Sequence, residues 1–136
     1  DISRRMKVVV CGSRSIESYG LVRSAIEGAP FDVDHIIHGG ARGVDNSAKR
    51  YAAINGIEAT EINPDYGLHG DSAPLKRNTE MVKKGHGLIA VWDGESSGTK
   101  HTIEEAKQHG MREMKKIKLH DTTQFVYLAE SERVHE

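Results

Sequence analysis

A chain of 136 residues, 37% of them hydrophobic, fits one domain with a core large enough to stand without disulfides or metals. Its 19 basic and 20 acidic residues leave a net charge of −1, so there is no global positive field to hold nonspecific DNA or an anionic membrane. The single cysteine, Cys11, excludes an internal disulfide, and no apolar run approaches the ~20 residues of a membrane span. With no signal-peptide pattern at its start, the protein is expected in the cytoplasm.

In chain order, residues 1–6 are expected to be an N-terminal extension. "KVVVCG" (7–12) reads as a strand, and the small polar loop "CGSRS" follows it. Leu21, Val22, Ala25 and Ile26 make a helical stripe. "HIIHGG" (35–40) is a second strand, followed by "GGARGVD" and a helix whose stripe is Val44, Ala48, Tyr51 and Ala52. "GIEATEI" (56–62) is a third strand. "DSAP" then opens a third helix, with Asp71 or Ser72 as cap, Pro74 in the first turn and Leu75, Thr79 and Val82 as the stripe. A fourth strand, "GLIAVWDG" (87–94), leads through "DGESSGT" into a helix marked by Ile103, Ala106 and Gly110. "EMKKIKL" (113–119) alternates like an outer strand, with Lys115, Lys116 and Lys118 on a solvated face. The tail "TTQFVYLAESERVHE" either adds an edge strand at 123–128 or stays loose.

Repeated strand–helix alternation argues for an α/β, Rossmann-like three-layer sandwich with a mainly parallel sheet of about five strands. The expected domain runs over 7–120, with a C-terminal extension over 121–136.

In such a sheet the strand-to-helix loops emerge at the carboxyl edge. The first strand then lies between the second and the fourth, so "CGSRS", "GGARGVD" and "DGESSGT" meet at one crevice. The third crossover helix adds Arg77 and Asn78, expected in its first turn. Gly12, Gly39, Gly40, Ala41, Gly43 and Gly98 let main-chain donors come close to an anion. Arg14, Arg42 and Arg77 offer planar forks for phosphate, and Ser13, Ser97 and Thr99 offer hydroxyls. Asp45 and Asp93 repel a bare phosphate and suit sugar hydroxyls instead. Together these residues point to a nucleotide or a nucleotide derivative.

Plainer readings stand beside these. The glycines could serve only a tight turn, Arg42 could pair with Asp45 or Asp93, Asp45 could simply favour the first helical turn, and Asp93 could cap the turn at Gly94. Trp92 reads as core before stacking platform, and Cys11 as a buried strand residue. None of the eight histidines shows metal-site spacing, so neither metal nor cofactor is implied. "GGARG" is not the dinucleotide fingerprint and "GESSGTK" is not a Walker A loop.

"GSR", "HGGARGVD", "PDYGLHGDSAPLKRNTEM" and "AVWDGESSGT", in this order, resemble the SLOG superfamily, and within it the YspA/YpsA-like group. Tyr66 stands where that pattern suggests tryptophan. The resemblance extends to the DprA Rossmann-like domain, which binds single-stranded DNA, and to the "lonely guy" phosphoribohydrolases. It implies sensing of nucleotide-derived signals such as ADP-ribose or NAD-related molecules, and self-association. The phosphoribohydrolase pattern G-G-x-G-T-x-x-E is matched at Gly98 and Thr99. Ser96 and Ser97 replace its glycines and Thr102 its glutamate, while Glu104 and Glu105 lie on another face of the helix. "SGT…T" is closer to the DprA version.

With no positioned acid–base pair, the expectation is binding or sensing of a phosphate-bearing nucleotide such as AMP, ADP-ribose or an NAD-like molecule. The alternatives are a nucleoside-phosphate or N-glycosidic hydrolase using Glu104 or Glu105, and a DprA-like single-strand DNA binder. The even charge and few aromatics weigh against DNA as a partner.

Overall fold

The computed structural model describes residues 5–130. Six strands form one sheet: β1 (Lys7–Gly12), β2 (His35–His38), β3 (Glu58–Glu61), β4 (Gly87–Trp92), β5 (Met111–Lys118) and β6 (Gln124–Glu130). Their spatial order is β3-β2-β1-β4-β6-β5. β1 pairs in parallel with both β2 and β4, which places the first strand at the centre, as the crevice argument requires. Four longer helices, α1 (Tyr19–Glu27), α2 (Val44–Asn55), α4 (Ala73–Lys84) and α5 (Ser97–Gln108), cover the sheet; α3 (Tyr66–His69) is a single turn.

The layers follow from strand alternation. Val8 and Val10 of β1 point into a core shared with Val22 and Ala25 of α1 and Val44 and Ala48 of α2. Val9 and Cys11 point the other way, onto Met81 and Val82 of α4 and Ile103 and Ala106 of α5. A strand apolar at consecutive positions is what a sheet covered on both faces demands. Met6, expected in the extension, belongs to the first of these cores at 4% exposure.

The sheet is mixed, which corrects the mainly parallel expectation. β6 runs antiparallel to both β4 and β5 and sits between them. The tail segment 123–128 is therefore part of an interior strand rather than an edge. The reason is visible in "FVYLA" (125–129), where all five residues are buried. A strand with no polar face finds an apolar environment on both sides only inside the sheet. "EMKKIK" takes the edge instead, its lysines exposed and its pairing broken by a bulge between Glu113 and Lys115. Tyr127 donates its phenolic hydrogen to the Ala25 carbonyl near the end of α1, so β6 also ties down a helix terminus. Residues 131–136 of the expected C-terminal extension lie outside the described residues. None of the described helices is long and apolar enough to cross a membrane.

Candidate functional site

The loops after β1, β2 and β4 converge at the carboxyl edge and are stapled there. Ser13 donates its amide to the Val91 carbonyl at 3.1 Å, and its hydroxyl accepts the Asp93 amide at 3.0 Å. Gly43 enters α2 with φ 79°, and a Cβ there would collide with the Ser13 and Arg14 carbonyls. Only glycine lets the two loops stack so closely.

Above this junction lies a cleft of about 500 Å³, within the ~300–1,000 Å³ typical of small-molecule sites. From the first two loops it is lined by Gly12, Arg14, Gly39, Gly40, Ala41 and Arg42, with Asp45 beneath. α4 contributes Arg77 and Asn78, and α5 contributes Ser97, Gly98 and Thr99. Three expected residues are elsewhere. Ser13 and Asp93 line a smaller adjoining cavity of about 290 Å³, together with Arg14, Arg42 and Ser96, whereas Gly43 lines neither.

The polar inventory changes the picture of the "GGARG" loop. The Asp45 carboxylate accepts the Gly39 amide at 3.0 Å and the Ala41 amide at 3.3 Å, while the Gly40 amide donates to His38 Nδ1 at 3.1 Å. Among the main-chain donors expected to hold phosphate, the amides of residues 39–41 are thus already taken by the protein's own side chains. Burial pushes the Asp45 carboxyl up to about 6, against the opposing pull of the Ala41 amide, the Arg77 guanidinium and the Gly39 amide. Arg77 is committed as well. Its Nη1 donates to the Gly39 carbonyl at 2.7 Å and its Nε to Asn78 Oδ1 at 3.0 Å. It stands in the second turn of α4, not the first, because that helix begins at Ala73, four residues before it. Asn78 in turn donates toward the Gly98 carbonyl at 3.4 Å, joining α4 to the mouth of α5.

Arg14 and Arg42 differ. Both are exposed, both line the cleft, and neither joins any of the ion pairs among the described residues. The plainer reading of Arg42 as a partner of Asp45 or Asp93 does not hold. α5 opens on Ser97 with no side-chain cap, so its first amides have no intrahelical acceptor. Asp93 accepts the Glu95 and Ser96 amides at 2.8 Å each, and these bonds hold its carboxyl below the usual range. It shapes the loop, as the turn-capping reading has it. Cys11 lines the cleft floor, but burial pushes its thiol far up and leaves it inert. Glu105 accepts from Thr79 Oγ1 at 2.6 Å and Glu104 is exposed; neither lines the cleft. Among the described residues no cluster of His, Cys, Asp and Glu could hold a metal ion.

Sequence reasoning missed one whole side of the cleft, built from Asn63, Pro64, Tyr66, Pro74 and Leu75. Leu75, expected in a core stripe, is 47% exposed; Ala73, Asn78, Met81 and Val82 are the buried positions of α4. The signal was the apolar content of "PDYGLHGDSAPL", which helical periodicity does not interpret.

With this geometry in place, comparison with known proteins shows what part of the chain is similar to. Residues 6–69 match the model of the YspA, cpYpsA-related SLOG family. That stretch, just under half of the chain, is similar to the SLOG family. It spans β1 to α3, and so carries the Arg14 and Arg42 loops and Tyr66. The chain is also similar to the Gene 61 protein of Mycobacterium phage D29, 37% identical over 82 residues. That match covers 56% of this chain and 66% of the phage protein, just under two thirds of its length. No solved structure matches the chain.

Proposed function

We propose that the cleft binds a phosphate-bearing nucleotide or nucleotide derivative of the AMP, ADP-ribose or NAD-like class, as a sensor or carrier site. One observation carries this reading: Arg14 and Arg42, two guanidiniums without partners among the described residues, share a cavity with the uncapped start of α5. Two planar forks and a helix N-terminus together make an anion site. Because the amides of residues 39–41 are engaged by Asp45 and His38, the phosphate belongs on the arginine and α5 side. Titration calorimetry with AMP, ADP-ribose and NAD tests the reading. Arg42→Ala should weaken binding at least ~10-fold, about 1.4 kcal/mol, with an unchanged thermal melt. Unaltered affinity would remove that residue from the site.

A hydrolytic reading has one observation in its favour. Asp45 is the carboxylate that lines the main cleft, and its proton affinity is tuned close to neutrality, as acid–base work requires. Release of free base from a nucleoside monophosphate, abolished in Asp45→Asn, would promote it. Absence of product after prolonged incubation would leave binding alone.

A further inference from the structure

Four large apolar side chains stand exposed among the described residues, and two of them, Tyr66 at 60% and Leu75 at 47%, line the cleft. Pro64 and Pro74 join them there. Pro64 and Tyr66 come from the connection between β3 and α4, and Pro74 and Leu75 from the first turn of α4. Arg14 and Arg42 extend instead into the smaller adjoining cavity, which none of the residues from 63 to 75 reaches. The cleft therefore has a cationic end and a separate apolar, aromatic end. The protein itself gains nothing from leaving a tyrosine ring and a leucine in water, and both belong to one concave wall.

Building on the nucleotide reading, we propose that Pro64, Tyr66, Pro74 and Leu75 form the subsite for the ligand's planar base, with the Tyr66 ring as the stacking face. Charge complementarity supports that occupant. A nucleotide is anionic at one end and flat and weakly polar at the other, and the cavity is polarised the same way. An aromatic ring stacks on any base face, so this wall selects for the presence of a base more than for its identity.

The experiment compares AMP, GMP, CMP and UMP with ribose 5-phosphate by calorimetry on the full chain. At least one nucleotide should bind ten times more tightly than ribose 5-phosphate. Tyr66→Ala should bring that ratio close to one without changing ribose 5-phosphate affinity, whereas Tyr66→Phe should preserve it. Leu75→Ser, a second exposed position, should reduce the ratio in the same direction. Ribose 5-phosphate binding as tightly as every nucleotide, or a ratio untouched by Tyr66→Ala, overturns the base subsite and leaves the phosphate site standing. Failure of all five ligands to bind folded wild-type protein overturns the nucleotide reading, and the subsite with it.

Discussion

At the level of single residues, the site divides into side chains that hold loops and side chains that are free. Gly12 shows how little room the first group leaves. A Cβ there would stand 2.6 Å from Val44 Cγ2 and closer still to the Val91 carbonyl, which is backbone and cannot give. Gly12→Ala should cost about 3 kcal/mol or prevent folding, whereas Gly98→Ala, with nothing within 4 Å, should leave the melting temperature unchanged. Differential scanning fluorimetry of the two variants makes the comparison. Asp45 yields a pH prediction. Its carboxyl binds a proton more tightly in the fold, at about 6, than at its ordinary 3.8. It therefore adds stability as pH falls through that window and withdraws it as pH rises, by about 3 kcal/mol in full. Urea unfolding of wild type and Asp45→Asn at about pH 4.5 and 7.5 should show the difference shifting toward wild type at the lower pH. A difference independent of pH would mean that Asp45 ionises normally. Which residues gather here was legible in the sequence, because glycines and arginines at strand ends have few other uses. Which donors were already engaged was not. Asp45 reaches back six residues to the Gly39 amide and four to Ala41, and residue type alone does not distinguish that from a carboxylate turned toward a ligand.

At the level of elements, β6 is the instructive case. Short apolar runs mark β1 to β4 and alternation marks β5, while the tail reads as either an edge strand or a loose segment; the criterion of consecutive apolar residues applied to "FVYLA" places it inside the sheet. Chain order misled, since a final segment is naturally assigned to an edge, but burial on two faces outweighs order. Ending the chain after Thr122 should therefore leave no cooperative thermal transition, because β4 and β5 would lose their only bridge. Normal unfolding of that fragment would contradict the interior assignment. A milder test is Tyr127→Phe, which leaves the Ala25 carbonyl without its hydroxyl donor. It should cost about 1–3 kcal/mol in urea unfolding. The long connection from β3 to α4 was the least legible element. Its one-turn helix and Pro74 obey turn chemistry rather than periodicity, so its contribution to the cleft had no pattern to announce it.

At the level of the whole molecule, the parallel core β3-β2-β1-β4 creates the crevice, and the antiparallel pair β6-β5 closes the far side of the sheet without adding a loop to it. The stretch at 6–69, similar to the SLOG family, carries Arg14, Arg42, Pro64 and Tyr66, while α4 and α5, outside it, supply Pro74, Leu75 and the uncapped helix start. Binding thus depends on two separate stretches of chain being held in register by the Ser13 staple. The sole tryptophan lies beside that staple: the Trp92 indole N–H donates to the Ser96 carbonyl at 3.0 Å, one residue before α5 begins. Ligand bound at the proposed site would press on the start of α5 to which this indole is tied, so its emission should report occupancy without an attached dye.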